Sequence, residues 1–393
     1  MLDKYDVCII GGGMVGLALA KGLADNSINV CLIEGGKPEH QWDLNSHALK
    51  VSAINRNSEL LLKKLNAWHN IAADCCSPYK NMHVWDASGD GKIDMNCIDV
   101  GETELGHIVE NRAILKALYE SACQSNGLDI LIETKVSDIK GESGNWQIKL
   151  NDDKSIKAKL IVGADGANSW VRKKMGFNLS EKAYNQNAIV CVIETEFEHQ
   201  DTAWQRFLPT GPLAFLPLKN KFHCSIVWSC ETDKANALVK LDDNVFCSEL
   251  NSSIEGGFGK IKLLTKKVQF PLIQRHAKSY YQAGIVLVGD AAHTIHPLAG
   301  QGVNLGFKDV SALIDILSLT HKSNRLIEHE STLSKYEERR RLNNQMTILS
   351  MKMFKEFFSN EIQPLSSLRN FGLSSVDKIK PLKNIFINQA MGL

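Results

Sequence analysis

The pattern of apolar and polar positions near the start of the chain predicts a strand, a tight turn, a helix and a second strand. The apolar run at 7–10 is typical of a buried strand. After the glycine-rich turn that follows, Val15, Leu19 and Leu23 fall on one face of a helix. The stretch at 29–33, apolar after Asn29, predicts the next strand. This succession indicates the first unit of an α/β fold.

Later patterns extend this organisation. Short strands are predicted at 160–162 and 284–288, and two longer sheet-forming runs at 213–218 and 222–230. A helix that starts after residue 302 carries an apolar stripe formed by Val310, Leu313, Ile314 and Leu317. From residue 331 onward the pattern is helical. The breaks in that helical region are Pro364, Gly372 and Pro381.

Composition and charge narrow the class of protein. With 393 residues, 44% of them hydrophobic, the chain is long enough for two packed cores. Its 45 basic and 44 acidic residues leave a net charge of +1, so no nucleic acid is expected as a partner. Ten cysteines without a C-x-x-C spacing predict reduced thiols and no metal site. The sequence shows neither a signal peptide nor a transmembrane run, which predicts a cytoplasmic protein and leaves open a peripheral contact with the inner membrane.

The first glycine turn matches the fingerprint of a dinucleotide site. Gly11 and Gly13 let the backbone turn and approach a pyrophosphate, and Gly16 lets the helix pack closely on the strand. Met14 opens that helix, whose N-terminal dipole favours the negative phosphates. Glu34 ends the second strand, where an acid accepts the ribose hydroxyls. The chain is therefore expected to bind an adenine dinucleotide.

The segment GDAAHTIHPLAGQGVNLG at 289–306 indicates which dinucleotide. Asp290 follows a strand at a sharp turn, where a carboxylate can accept hydrogen bonds from a polyol. A flavin has such a polyol, the ribityl chain, and a nicotinamide cofactor does not, so FAD is expected. The residues predicted to lie beside the flavin ring, where helix amides would stabilise a reduced flavin, are Pro297, Gly300, Gly302, Val303 and Asn304.

A third segment, GADGANS at 163–169, contributes Asp165. The three segments, in this order and spacing, resemble the single-component flavin aromatic hydroxylases of the para-hydroxybenzoate hydroxylase type. The resemblance implies an α/β fold class, with a Rossmann-like FAD-binding domain, an inserted β-sheet substrate domain and C-terminal helices. It also implies that Asp165 contacts both FAD and a visiting nicotinamide cofactor.

Within that group the match narrows to the ubiquinone-biosynthesis hydroxylases and covers essentially the whole chain. The segments that carry the narrower match are 51–54 (VSAI), 78–79 (PY), 84–86 (VWD), 105–106 (LG), 108–111 (IVEN), 211–218 (GPLAFLPL), 270–272 (FPL) and 389–393 (QAMGL). Two positions expected beside the cofactor depart from the wider pattern. Lys50 and Asn111 stand where arginine is usual or frequent, and lysine neutralises a phosphate without forming a bidentate fork.

The resemblance implies an enzyme with FAD as its cofactor and NADH or NADPH as a transient reductant. Reduced flavin then reacts with O2, and one oxygen atom enters the ring of a polyprenylated phenol or quinol. The chain has no second Rossmann fingerprint, so the nicotinamide must visit the flavin. A complex of ubiquinone-biosynthesis proteins is a further implied partner.

Two sets of residues are candidates for the chemistry on the substrate. An apolar substrate wall is predicted from Phe215, Leu216, Pro217 and Trp228, with membership of an ordinary core as the alternative. His296 is a candidate for moving a proton from a phenol, since imidazole titrates near neutral pH, and a packing role is the alternative. His293 and His296 have the spacing H-x-x-H, but no third ligand accompanies them, so His293 is expected to be a hydrogen-bonded residue of the turn.

Because the cofactor segments are scattered, the FAD-binding domain is predicted to be discontinuous. Its expected pieces are 1–75, 105–179 and 271–330. The substrate domain is expected at 76–104 and 180–270, and a C-terminal helical region at 331–393.

The position of ring hydroxylation is the finest expectation. The chain end at 391–393 and the TAWQRF segment at 202–207 resemble the demethoxyubiquinol hydroxylases, whereas His296 resembles the polyprenylphenol hydroxylase branch. The balance favours a 3-demethoxyubiquinol hydroxylase, with a 2-polyprenylphenol hydroxylase acting at an earlier ring position as the alternative. A non-catalytic scaffold of the same fold is a third alternative, which Asp165, Asp290 and Gly302 oppose because a scaffold needs no flavin contacts. A halogenase is opposed by the absence of its W-x-W-x-I-P motif.

Overall fold

A computed structural model describes residues 4–37, 42, 46–87, 89, 91–294, 302–358, 383–384, 387–388 and 391–392, with backbone alone at 348 and 350–358. Its helices are α1 (Met14–Ala24), α2 (Arg56–Lys64), α3 (Asn111–Ala122), α4 (Trp170–Lys174), α5 (Thr232–Lys240), α6 (Asp243–Ser253), α7 (Gly302–Lys322) and α8 (Glu330–Phe358). Among these described helices, none is long and apolar enough to cross a membrane.

The strands, in chain order, are β1 (Lys4–Ile10), β2 (Val30–Ile33), β3 (Val51–Asn55), β4 (Cys76–Tyr79), β5 (Asn81–Asp86), β6 (Lys92–Asn96), β7 (Gly106–Glu110), β8 (Leu128–Leu131), β9 (Val136–Glu142), β10 (Asn145–Leu150), β11 (Ser155–Gly163), β12 (Leu179–Thr195), β13 (Thr202–Leu208), β14 (Gly211–Pro217), β15 (His223–Glu231), β16 (Ile261–Leu263), β17 (Val268–Ala277), β18 (Tyr281–Gln282), β19 (Ile285–Leu287) and β20 (His293–Thr294). Helices and strands together confirm the predicted α/β class.

The first sheet has eight strands and a parallel centre. Its main path is β18-β19-β11-β1-β2-β8, and β10 and β9 extend from β11 as an antiparallel hairpin. In β1, Val7 is paired with Val30 of β2 and with Leu160 of β11, and all three side chains are fully buried. Strands buried on both faces are apolar throughout, which is why the short runs in the sequence predicted them correctly. Helix α1 packs against both α3 and α7.

The second sheet has nine strands in the order β20-β17-β12-β15-β14-β13-β5-β6, with β16 beside β12. Strands β14 and β15 form the hairpin predicted from the two apolar runs, and Leu213 is paired with Trp228 across it. Helices α5 and α6 contribute Leu238 and Phe246 to the core on one face of this sheet. That face is closed by helices, as an amphipathic sheet requires.

A third, three-stranded sheet lies in the order β3-β7-β4. It joins the second sheet through a group that we call the central apolar cluster. The buried members of this cluster are Ala53, Tyr79, Cys97, Leu105, Ile108, Ala203, Ala214, Leu216, Ile387 and Met391. Strand β4 pairs with β7, and the second sheet reaches Ala277, so strand pairing departs from the expected segment limits at 76 and 270. The division into two domains stays a prediction.

The C-terminal region begins with the predicted helix. α8 spans 29 residues, and it packs against α7. The predicted breaks at 364, 372 and 381 lie outside the described residues.

Candidate flavin site

The first glycine turn, at 11–16, packs so closely on neighbouring backbone that two of its positions have no space for a side chain. Gly11 has φ +111°, and a Cβ on it would lie 2.4 Å from the carbonyl oxygen of Ala164. A Cβ on Gly16 would lie 1.9 Å from the carbonyl oxygen of Gly11. Since real Cβ atoms do not come so close to backbone, both positions require glycine. The turn, α1 and the end of β11 are therefore packed backbone to backbone.

Gly13 faces the other way, into open space. A Cβ there would meet no atom within 4 Å, and Gly13 is the residue that precedes α1, with no side chain capping the helix. Met14 begins α1 and is half-buried. The unoccupied amides and the open space fit a pyrophosphate at the helix N-terminus. The structure thus separates glycines needed for packing from the glycine that would face the ligand.

Glu34 is bound to this turn. Its Oε2 accepts a hydrogen bond from the amide of Gly12 at 2.6 Å, and its Oε1 accepts one from the amide of Gly36 at 2.6 Å. Each carboxylate oxygen keeps a second lone pair for a ribose hydroxyl. A cavity of about 530 Å³ opens beside it, and its lining includes Gly13, Glu34, Lys135, Asp165 and Trp170. The predicted ribose acceptor therefore lies in the wall of a ligand-sized cavity.

Asp165 lies in the same wall and has one oxygen to spare. Its Oδ2 accepts hydrogen bonds from the amides of Trp170 and Val171, at 2.6 and 3.0 Å. Its Oδ1 is buried and has no partner within the described part of the chain. A buried acceptor without a donor is costly, so a hydroxyl or amide of a cofactor fits this position.

Arg172, which the sequence did not single out, ties this loop to the second turn. The side chain is 2% exposed. Its Nη1 donates to the carbonyl of Ala291 at 2.8 Å and its Nη2 to the carbonyl of Ala167 at 2.7 Å. Burial lowers the pKa of the Arg172 guanidinium from its ordinary value. Its position three residues after the segment at 163–169 gave no signal of this role.

The second turn presents Asp290 without binding its side chain. Gly289 has φ +58°, and Gly289–Ala291 form a single 3₁₀ turn. The Asp290 carboxylate accepts no hydrogen bond from the described residues and is accessible to solvent. Protein atoms around it nevertheless displace much of its water. This loss of hydration raises the pKa of Asp290, an effect that His293 opposes and Asp309 reinforces. A carboxylate with free lone pairs fits a polyol ligand.

The start of α7 was predicted to lie beside the flavin. Gly302 begins the helix, and a Cβ on it would meet no atom within 4 Å; Val303 is half-buried against the core. The Asn304 side chain instead binds the backbone of β3. Its Nδ2 donates to the carbonyl of Ala53 at 2.7 Å, and its Oδ1 accepts from the amide of Asn55 at 3.2 Å. Its side chain therefore fixes α7 on β3. Pro297, Gly300 and the candidate base His296 lie outside the described residues.

Lys50 and Asn111 meet at the edge of the third sheet. The amide of Asn111 donates to the carbonyl of Lys50 at 3.0 Å, and Asn111 Oδ1 accepts from Ser52 Oγ at 2.7 Å. The Lys50 ammonium lies 5.3 Å from the ring centroid of Phe270, on β17. Lys50 thus bridges the first part of the chain and the second sheet through a cation–π contact. A role at the pyrophosphate would need this side chain to turn away from Phe270.

The four predicted wall residues divide between the two faces of the second sheet. Phe215 and Trp228 are fully buried beneath α5 and α6, and the Phe215 ring stacks on Phe258 with centroids 4.8 Å apart. The burial of Phe215 and Trp228 agrees with the alternative interpretation, that they are ordinary core residues. Leu216 points to the opposite face, into the central apolar cluster, and Pro217 follows it at the buried end of β14. Alternation along a strand separates Phe215 from its neighbour.

His293 is a hydrogen-bonded residue of the turn, as expected. It is 2% exposed, and its Nε2 lies 2.5 Å from Oδ2 of Asp309. Asp309 is fully buried and is also bound by Arg340, so the turn rests on a buried ion network. Neither Asp309 nor Arg340 was predicted from the sequence as a site residue. The one available signal was a single acid among the apolar positions of α7.

Comparison with known proteins shows which family the chain belongs to. The family model "FAD binding domain" matches residues 4–348. A p-nitrophenol 4-monooxygenase from Pseudomonas putida has a similar structure, with a TM-score of 0.82 and 17% identity over 99% of both chains. A probable FAD-dependent monooxygenase from Pseudomonas aeruginosa superposes with a TM-score of 0.79 and 19% identity, over 95% of this chain and all of that one. These solved structures show the fold. The family model covers most of the chain, so the chain belongs to the FAD-binding domain family.

Two curated relatives narrow the family. The 3-demethoxyubiquinol 3-hydroxylase of Escherichia coli is 34% identical over 388 residues, covering 99% of this chain and 98% of the relative. The ubiquinone biosynthesis monooxygenase COQ6 of Drosophila melanogaster is 34% identical over 433 residues, covering 99% of this chain and 90% of the relative. The chain belongs to this family of ubiquinone-biosynthesis monooxygenases, which confirms the resemblance found from its motifs.

Proposed function

We propose that this chain hydroxylates the aromatic ring of a polyprenylated quinol, using FAD, O2 and NADH or NADPH, and that 3-demethoxyubiquinol is its substrate. The observation that carries the proposal is the full-length similarity to the E. coli 3-demethoxyubiquinol 3-hydroxylase. The geometry supports it, because Gly13, Asp165 and Asp290 offer open space or unpaired acceptors where a flavin dinucleotide needs them. These three positions support the assignment of FAD to this site.

The chain's own residues supply binding and orientation. When bound, FAD would supply the oxidation–reduction chemistry that no side chain provides. The N-terminus of α1 at Gly13 would hold the pyrophosphate, and Glu34 would accept from the ribose. Asp290 would accept from the ribityl hydroxyls, and Asp165 Oδ1 from a further donor of the cofactor. Together these contacts would orient the reactive ring of the flavin.

The substrate side of the proposed site is apolar. Leu216 and Ala214, on the face of the second sheet away from α5 and α6, pack with Ala53 of β3 in the central apolar cluster. Such a surface suits an aromatic ring that carries a prenyl chain, and it excludes water from the reacting atoms. We therefore keep Leu216 as the wall candidate on this face; Phe215 and Trp228 lie beneath α5 and α6, and alternation along β14 puts Pro217 on the side of Phe215. His296 stays a candidate for the phenol proton.

Complementation tests the choice between the two ring positions. The two candidate substrates differ in ring substituents, and a difference of one methyl group allows discrimination of only about 1–3 kcal/mol. We expect the gene to restore ubiquinone in a strain that lacks only the late hydroxylase, with weak rescue of the earlier step. Rescue of the earlier-step mutant alone would assign the chain to 2-polyprenylphenol hydroxylation.

Purified protein tests catalysis itself. We expect a yellow protein with flavin absorbance, which oxidises reduced nicotinamide faster when a prenylated phenol is added. Mass spectrometry of the product should show one added oxygen atom. A colourless protein that neither binds FAD nor oxidises nicotinamide would instead support the scaffold alternative.

We also propose a peripheral membrane contact through α8, because a prenyl tail resides in the bilayer. Leu342, Met346 and Leu349 are 64%, 55% and 49% exposed, and their spacing of four and three residues places them on one helix face. An exposed apolar stripe of this kind suits insertion at a lipid surface.

Vesicle flotation tests this contact. The double variant Leu342→Glu/Leu349→Glu should float less with anionic vesicles than the parent protein. Leu60→Glu, at a site of similar exposure (56%) on α2, is the matched control and should float normally. Equal flotation of all three proteins would exclude the α8 stripe as the contact.

The proposed domain division follows the cofactor segments. The discontinuous FAD-binding domain would include the first sheet with α1, α3 and α7, and the substrate domain the second sheet with α5 and α6. Limited proteolysis should cut between these units before it cuts within either.

A further inference from the structure

One buried carboxylate, Asp309 of α7, binds both ends of the turn that carries Asp290. Asp309 is fully buried. Its Oδ2 accepts hydrogen bonds from the amide of Gly289 at 3.0 Å and from Nε2 of His293 at 2.5 Å. Its Oδ1 accepts from Nε of Arg340 at 2.7 Å. The residue just before Asp290 and the residue three after it are therefore held by the same side chain.

Arg340 connects this carboxylate to further polar groups in the core. Its Nη2 donates to Oδ1 of Asn344 at 2.7 Å, and Nδ2 of Asn344 donates to the hydroxyl of Tyr280 at 3.1 Å. That hydroxyl lies 2.8 Å from Nε2 of His276. Since it accepts from Asn344, the Tyr280 hydroxyl can direct its own proton to Nε2 of a neutral His276. Burial lowers the pKa of His276 to about 4, which keeps it neutral.

The charges of the network compensate one another. Burial by itself would raise the pKa of Asp309, but the attraction and hydrogen bonds of His293 and Arg340 outweigh it and leave the pKa below its ordinary value. The carboxylate is thus held ionised in the core. A buried charge is tolerated when it is paired and hydrogen-bonded, and removing one partner from such a group is strongly unfavourable.

Other contacts hold the far side of the turn, where Arg172 donates to the carbonyl of Ala291 and β20 pairs with β17. Asp290 accepts no hydrogen bond from the described residues, so its direction depends on its backbone. Gly289 has φ +58°, and a Cβ on Gly289 would lie 3.2 Å from Val15 of α1, so this backbone already passes close to α1. The hydrogen bond from the Gly289 amide to Asp309 fixes the peptide between Val288 and Gly289, one residue before Asp290.

We infer that Asp309 is a positioning residue for the flavin, and that Arg340 of α8 holds Asp309 in the state that does this. Asp309 touches neither substrate nor cofactor. It acts through Gly289 and His293, which hold the turn so that the Asp290 carboxylate points at the ribityl chain. The inference rests on the proposed function, because it assumes that Asp290 binds the flavin.

The test compares two aspartates of α7. Asp309→Asn keeps the size of the side chain but removes its charge. Its amide NH2 group would also face hydrogen-bond donors that the carboxylate oxygen accepts from in the wild type. Asp315→Asn is the matched control, since Asp315 forms an exposed ion pair with Arg339 at 3.2 Å. We expect the FAD dissociation constant, measured by flavin fluorescence, to rise about 10- to 100-fold in Asp309→Asn and not in Asp315→Asn. The circular dichroism of the bound flavin should change as well.

A double-mutant cycle separates positioning from simple loss of stability. If Asp309 acts through Asp290, the double variant Asp309→Asn/Asp290→Asn should bind FAD no worse than Asp290→Asn alone. Additive losses, or an unchanged dissociation constant in Asp309→Asn, would overturn the inference. Should Asp309→Asn not fold, Arg340→Lys provides the second variant, because lysine keeps the charge but lacks the separate Nε and Nη2 donors through which Arg340 binds Asp309 and Asn344. It should weaken FAD binding, and wild-type affinity and flavin circular dichroism in Arg340→Lys would equally contradict the inference.

The outcomes also distinguish this inference from the proposed function. A wild-type protein that binds no FAD would defeat the proposed function itself. Normal FAD binding and complementation by the wild type, with an unaffected Asp309→Asn, would defeat only the positioning role.

Discussion

Two turns bring backbone to the proposed cofactor site, and they are held by opposite means. The turn at 11–16 is fixed by the absence of side chains, because a Cβ on Gly11 or Gly16 would overlap backbone atoms. The turn at 289–291 is fixed by charged side chains, Asp309 and Arg340, which lie 20 and then a further 31 residues along the chain. The first turn is specified by adjacent residues. The second depends on partners that only folding brings near.

A side chain placed at Gly16 should disrupt the first turn and have the largest effect on stability. In Gly16→Ala the new Cβ would lie 1.9 Å from the carbonyl oxygen of Gly11, so β1 and α1 must separate. We expect the free energy of unfolding to fall by about 3 kcal/mol or more. Gly13→Ala, whose Cβ would meet nothing within 4 Å, is the control for thermal unfolding. Equal stability of the two variants would contradict the steric account.

Gly13→Asp separates ligand binding from folding at the same turn. The site is open, and aspartate is a good residue at the start of a helix, so the protein should keep or slightly gain stability. FAD should nevertheless be lost, because a carboxylate would occupy the pyrophosphate position. Flavin absorbance of the purified variant gives the readout. Full flavin occupancy would show that the N-terminus of α1 does not hold the phosphates.

Asp290→Ala tests the second turn and should have a smaller effect. We expect FAD binding to weaken by about 1–3 kcal/mol, the value of a charge-assisted hydrogen bond to the ribityl chain. Asp315→Ala, at an exposed site on α7, serves as the control, and both dissociation constants come from flavin fluorescence. An unchanged affinity in Asp290→Ala would remove this residue from the site.

The smallest expected effect is a pH dependence from the network behind the second turn. The pKa of His276 is about 4 in the folded protein and 6.5 ordinarily, so protonation favours the unfolded chain. Its contribution to stability is fully present above pH 6.5 and is lost as the pH falls toward 4. For this partly exposed group we expect a loss on the order of 1 kcal/mol. His276→Gln should show a shallower decline in unfolding temperature across this range, and an identical decline would exclude His276 as its source.

In the second sheet, the sequence pattern could not predict which apolar residues face a ligand. Phe215 and Leu216 are neighbours of similar character, and both were candidates for the substrate wall. In the structure, Phe215 lies beneath α5 and α6, and Leu216 lies in the central apolar cluster. An apolar run buried on both faces carries no mark of which face meets a ligand, because that depends on which layers pack against it.

The sequence by itself determined the features whose causes are local. The glycines at 11 and 16, the acid at 34 and the Gly-Asp turn at 289–290 follow from backbone geometry within a few residues, and they sufficed to predict the α/β fold and FAD. The tertiary structure alone decided that Asn304 is used by β3, that Arg172 ties two loops together, and that Asp309 and Arg340 support Asp290. The physical reason is that a buried charge needs partners from every direction, and those partners come from α7, α8 and β20, which are separated along the chain and adjacent only in the folded protein.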